Sequence, residues 1–190
     1  MKDVFNVKRS ADGDDVLKHV EGQFRKVVNV TATPSALEDT DSGTIYCLNS
    51  TTAIAITLPS SASAGVFFDF VVLQATNDAA GHSIVVGDTT DTTGDFLFGS
   101  LTMVDDQVAT ATNACNGRGI MPAIHADTGD NKILMDANAT NGGGEAGTYI
   151  RLTCLGDKIT SANGPFGHWL VQGQVMCPTT STGADLLQHV

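Results

Sequence analysis

From residue 44 onward the chain alternates apolar and polar positions with a period of two. Ile54, Ile56 and Leu58 alternate with Ala53, Ala55 and Thr57, the pattern of a strand with one buried face. Pro59 and the Ser/Ala/Gly run at 60–65 end that strand and turn the chain. In the next segment Val66, Phe68, Phe70 and Val72 share one face, and Phe67, Asp69, Val71 and Leu73 share the other. Three of the eight phenylalanines fall within four residues here, so this strand is expected at the centre of the core.

The same reading predicts strands over 27–33, 44–48, 83–86, 96–104 (interrupted at Gly99), 132–136, 148–155 and 168–176. Weaker alternation marks 107–112 and 119–125, the second broken by Pro122. Glycine-rich or turn-rich connections at 87–95 and 138–147 separate them. Eight to ten short strands, at intervals of about 8–15 residues and without an interior helix, predict an all-β body, a β-sandwich or jelly-roll-like fold. Ahead of it, Val16, Leu17, Val20 and Phe24 recur at helical spacing within 14–25, which predicts a short helix or ordered arm. Such a segment is too short to be stable alone in water and must dock on something. The expected organisation is an N-terminal arm at 1–26, a β body at 27–178 and a loose C-terminal tail at 179–190.

Composition sharpens this picture in one respect, charge. The chain carries a net charge of −11, which argues against nucleic acid as a partner. Residues 1–26 hold six basic and five acidic side chains, for a net +1, and the remainder is −12. An arm able to touch acidic surface is thus attached to a body that repels it. The 20 glycines and only three glutamates (Glu21, Glu38, Glu145) fit strands and turns better than helices. No apolar run is long enough to cross a membrane, so no membrane partner is expected, and synthesis in a reducing cytoplasm is the default.

Candidate chemistry is thin. Cys47, Cys115, Cys154 and Cys177 lie far apart, and Cys47 and Cys154 read as small buried hydrophobes. The set Asp88, Asp91 and Asp95 is a weak calcium candidate, with a solvated surface loop the preferred reading. His125 and Asp127 share a strand face but lack a third ligand. The five histidines are scattered and expected mostly at the surface. No nucleophile elbow and no phosphate cradle in its proper context occur. Neither an enzyme nor a cofactor is expected. Trp169, the only tryptophan, is expected to close the core; the alternative is a sugar-stacking platform beside Tyr149.

A resemblance enters through four segments: TPSALEDTDSG at 33–43, the aromatic strand IYCLNS, AIAITLPSSASAG followed by VFFDFVVL, and a late Trp169-Leu170-Val171-Gln172-Gly173. Together they resemble small virion proteins of tailed bacteriophages, in particular capsid decoration (cement) proteins. The match spans about residues 33–90 and 165–175, leaving the middle unmatched. The resemblance implies a β-sandwich or jelly-roll body on the outer surface of the virion capsid. It also implies major capsid protein as partner and self-association as a homotrimer, or else a homodimer. The arm residues Val4, Phe5, Arg9, Leu17, Phe24 and Arg25 are then the expected capsid contacts. The rival reading is a head-fibre or tail-fibre module that recognises host glycans.

Overall fold

A computed structural model describes residues 25–60, 62–76, 80–87, 89, 95–105, 120–126, 130–136, 142–156, 160–161, 164–165, 168–177 and 186–188. The strands, in chain order, are β1 Val27–Val30, β2 Ile45–Asn49, β3 Ala55–Thr57, β4 Phe67–Gln74, β5 His82–Val85, β6 Phe96–Asp105 and β7 Ile120–Ala126. They continue with β8 Lys132–Met135, β9 Tyr149–Cys154, β10 Thr160–Ser161, β11 Gly164–Pro165, β12 His168–Cys177 and β13 Leu187–Gln188. One 3-10 turn, Asp39–Asp41, is the sole helical element among the described residues.

Two mixed sheets form the body. The larger has the order β1-β2-β4-β9-β12-β6-β7 and the smaller β13-β8-β5-β3, with β10 and β11 as a separate antiparallel pair. The all-β sandwich expected from the sequence is therefore the fold. Its connectivity is more unusual: β1–β2, β2–β4, β3–β5 and β6–β12 pair in parallel. Parallel neighbours need a crossover, and for β2–β4 and β3–β5 a strand of the opposite sheet supplies it. The chain leaves β2, runs through β3 in the small sheet, and returns as β4 beside β2. In the same way β4 carries the chain from β3 back to β5. No purely antiparallel jelly roll contains such steps.

The facing sides of the two sheets share one apolar core. Ile54, Ile56 and Leu58 are buried while Ala55 and Thr57 are exposed, as the alternation requires. Phe68 and Phe70 are buried at its centre; Phe68 stacks on Trp169 at 5.9 Å and Phe70 on Tyr46 at 5.7 Å. Trp169 is 1% exposed, so it closes the core rather than offering a platform to sugars. Its fluorescence is expected to be blue-shifted in the native protein and to move red on unfolding; a solvent-like native spectrum would contradict this burial.

Several details differ from the sequence reading. Strand β6 runs unbroken through Gly99, because the glycine there accommodates a close approach and does not stop the ladder. His82 and His168 are buried, against the expectation of surface histidines: His82 shares the inward side of β5 with Ile84, and His168, on the outward side of β12 with Leu170, is covered by the Phe98 ring at 4.7 Å. Nδ1 of His82 accepts the Ile54 N–H at 3.1 Å, and burial lowers its pKa against the opposing pull of the Gln74 and Ser50 carbonyls. Cys154 is buried as expected, whereas Cys47 is only half-buried, since it falls on the outward side of β2. The end of the tail belongs to the body: Leu186 is fully buried and β13 pairs with β8. An apolar pair so close to the terminus finds its place as core and edge strand.

The phenol of Tyr46 is pushed up to about 12 by burial and by the charge of Asp41, with a hydrogen bond to Thr44 pulling the other way. A raised phenol favours the fold below its ordinary value near 10, and that contribution is lost as pH climbs through the folded value. Alkaline destabilisation between about pH 10 and 12 is therefore expected, and Tyr46→Phe should flatten that limb. An unchanged alkaline limb in the variant would remove Tyr46 as its cause.

Candidate binding face

The outward side of the large sheet carries the one concentration of unusual chemistry among the described residues. Strand β4 reads FFDFVVLQ, a single carboxylate inside an apolar run. Period-two geometry sends Asp69 outward with Phe67, Val71 and Leu73. An outward side chain is ordinarily solvated, yet Asp69 is 0% exposed. Cross-strand register explains this. Asp69 lies opposite Arg151 on antiparallel β9 and beside Ile45 on β2, which in turn lies beside Val27. Tyr149 is the next outward residue on β9, and Arg25 lies two residues ahead of Val27.

The donors close over the carboxylate from three directions. Arg151 donates from Nε to Oδ1 at 2.7 Å and from Nη2 to Oδ2 at 2.8 Å, a forked contact. The Tyr149 hydroxyl donates to Oδ1 at 2.9 Å. Arg25 Nη1 pairs with Oδ2, while its Nε donates to the Gly43 carbonyl at 2.8 Å. Both guanidiniums also sit over the Phe67 ring, at 5.4 Å for Arg25 and 5.2 Å for Arg151. Burial pushes the Asp69 carboxyl up, but the bonds from Arg151, Tyr149 and Arg25, with the charge of Arg25, outweigh it and hold it below the usual carboxylate value. The Tyr149 phenol is raised, by burial first and then by its bond and proximity to Asp69.

The surrounding loop is laced to the same corner. Gly43 N–H donates to the Phe67 carbonyl at 2.8 Å, and Ser42 Oγ accepts the Phe67 N–H at 3.1 Å. Asp39 accepts the Ser63 N–H at 2.9 Å, and Lys26 pairs with Asp41 at 3.4 Å. The Asp41-Ser42-Gly43 segment thus ties the start of β2 to the start of β4. Residues 33–37 run along the outer edge of β3 through Ala55 N–H to Thr33 Oγ1 and Leu37 N–H to the Thr57 carbonyl. That contact blunts an edge otherwise open to strand addition.

The exposed large hydrophobic side chains among the described residues are Val27, 62% exposed, and Leu73, 51% exposed. Both lie on this outward face, along with half-buried Phe67, Ile45, Val71, Leu170 and Phe98. Of the expected capsid contacts, Arg25 is held against the body by Asp69 and Gly43; Val4, Phe5, Arg9, Leu17 and Phe24 lie outside the described residues. Lys26 is likewise tied in, so a truncation that spares the sheet has to keep both. Of the calcium candidates, Asp95 is buried at the start of β6, and Asp88 and Asp91 lie outside the described residues. No group of three or more His, Cys, Asp or Glu side chains suited to a metal occurs among the described residues. The side chain of His125 and the whole of Asp127 also lie outside them. No helix among the described residues is long and apolar enough to cross a membrane.

Sequence reasoning missed the Asp69 cluster. The available signal was one acid in FFDFVVL and one arginine in TYIRLTCL, each alone in an apolar strand and so in need of a partner. Compared with known proteins, the chain matches no family model, no curated protein and no solved structure.

Proposed function

We propose that the chain is a bacteriophage capsid decoration protein, binding the outside of the assembled head and bridging major capsid protein subunits as a homotrimer. The observation that supports this most is the joint position of three features on one sheet face. The exposed apolar side chains Val27 and Leu73, the paired arginines, and the point where the N-terminal arm joins the body all lie there. Exposed apolar side chains gathered on one side of a folded body are the mark of an interaction surface. The segments that carry the resemblance fall on β2, β3, β4 and β12, all of which contribute to the core, and β2, β4 and β12 present this face.

The mechanism is linkage. A protein that binds assembled shell but not loose subunits shifts the balance toward shell, by about 2.7 kcal/mol per site at a free concentration of 100 Kd. Spanning two or three subunits adds to this, because the second contact becomes intramolecular. The test is copy number in purified particles together with binding to empty expanded heads. Hundreds of copies per head, and shells whose heat resistance rises and saturates with added protein, are the expected result. Density confined to the tail, or missing from the icosahedral exterior, would end the proposal. The rival glycan-binding reading loses its aromatic platform, since Trp169 lies in the core.

A further inference from the structure

We infer that Arg25, Arg151 and the Phe67 ring form a receptor for carboxylate side chains of an acidic polypeptide segment. The argument starts from how much the cluster exceeds what Asp69 needs. Arg151 and Tyr149 already supply three bonds to its two oxygens. A second arginine is not required to satisfy the acid, and its presence leaves two cations on one anion, a net +1 in a chain of net −11. Neither guanidinium is used up. Nη1 of Arg151 and Nη2 of Arg25 are not among the atoms that bind Asp69, and the two side chains are 39% and 36% exposed.

Geometry sets the chemistry of the ligand. Both guanidiniums are held, one by a fork on Asp69 and one by Gly43 and Asp69, so their free ends are presented without the usual loss of side-chain freedom. Planar guanidiniums recognise carboxylates through paired N–H donors. Phe67 beneath them offers an apolar floor that lowers the local dielectric, and Val27, Ile45 and Leu73 extend it on the same face. An acidic stretch with apolar neighbours fits this local positive patch, whereas a basic one is repelled here and drawn instead to the acidic remainder of the body. This deepens the binding-face reading without depending on the capsid, because the experiment reads the site in isolation.

The experiment is a titration of the full-length, nitrogen-15-labelled protein at low salt with hexaglutamate. The Nε–H signals of Arg25 and Arg151 are expected to shift and saturate, and acetate at equal carboxylate concentration is expected not to saturate them. Arg25→Gln leaves Asp69 its bonds from Arg151 and Tyr149, so the fold is expected to hold while hexaglutamate affinity drops about tenfold. Phe67→Leu keeps an apolar floor without the ring and is expected to weaken binding less than Arg25→Gln. Lys132→Gln removes the same charge from the small sheet and is expected to change affinity by less than about twofold. No saturable shift, equal weakening by Lys132→Gln, or acetate matching hexaglutamate would each overturn the inference. Failure of the protein to bind heads, with the titration succeeding, would instead strike only the capsid reading.

Discussion

Alanine at Gly99 or at Gly173 is expected to destabilise the protein by about 4 kcal/mol, a loss of roughly 8–16 °C in Tm for a chain of this size. The two glycines sit in β6 and β12, interior strands of the large sheet that pair over ten residues. A Cβ on Gly99 would stand 2.1 Å from the Val171 carbonyl oxygen, and one on Gly173 would stand 2.2 Å from that of Tyr149. Both neighbours are backbone atoms of adjoining strands, so relief requires the ladder itself to shift. The backbone adds strain, with φ of +119° at Gly99 and +151° at Gly173, where side chains are disfavoured. Gly65 is the internal control: its φ is +90°, but nothing lies within 4 Å of its would-be Cβ. Gly65→Ala should therefore show only the conformational strain, about 1–2 kcal/mol. Thermal unfolding followed by Trp169 fluorescence compares the three variants directly. If Gly99→Ala and Gly65→Ala melted together, the close approach of β6 and β12 would be wrong.

These glycines show where a one-dimensional pattern stops being informative. Alternation made the core faces of β3, β4 and β9 legible, because a strand with one buried side writes its burial into every second residue. Gly99 within such a pattern was equally compatible with a break and with a close approach, and only the neighbouring strand decides between them. The parallel pairs were not legible, since nothing local states that β3 belongs to the opposite sheet from β2 and β4. His82 and His168 look like surface residues in a polar context, yet His82 points into the core with Ile84 and His168 is covered by Phe98 of the adjoining strand. Leu186 looked like part of a loose tail because its partners Gly143 and Leu134 lie over forty residues away. The binding face was half visible. Alternation put Asp69 on the face of β4 opposite Phe68 and Phe70, but its two arginines come from residue 25 and residue 151, and only the register joins them.

Removing Arg151 tests that junction most sharply, and its effect should depend on pH in a direction fixed by the cluster. Asp69 is fully buried with a carboxyl held below its ordinary value, so in the native protein it contributes stability above the usual carboxylate pKa, near 3.9. That contribution is lost as pH falls through the folded value. Arg151→Met keeps the apolar stem over Phe67 but deletes the fork, leaving a buried carboxylate with Tyr149 and the single contact from Arg25. Burial then dominates and raises the carboxyl, so the variant is penalised most where Asp69 must be ionised. A deficit of about 3 kcal/mol at pH 7 is expected, because breaking a buried pair strands the remaining charge. The deficit should narrow toward pH 4, where protonating Asp69 relieves the variant. Asp69→Asn in the same background should restore part of the loss at pH 7, as the stranded charge is gone and the two partly exposed arginines can turn to water. Urea unfolding of the three proteins at both pH values gives the comparison. A deficit that stays constant with pH, and that Asp69→Asn leaves untouched, would mean that Arg151 matters through its contact with Phe67. The large sheet would then be joined at this corner by packing, and Asp69 would be a passenger.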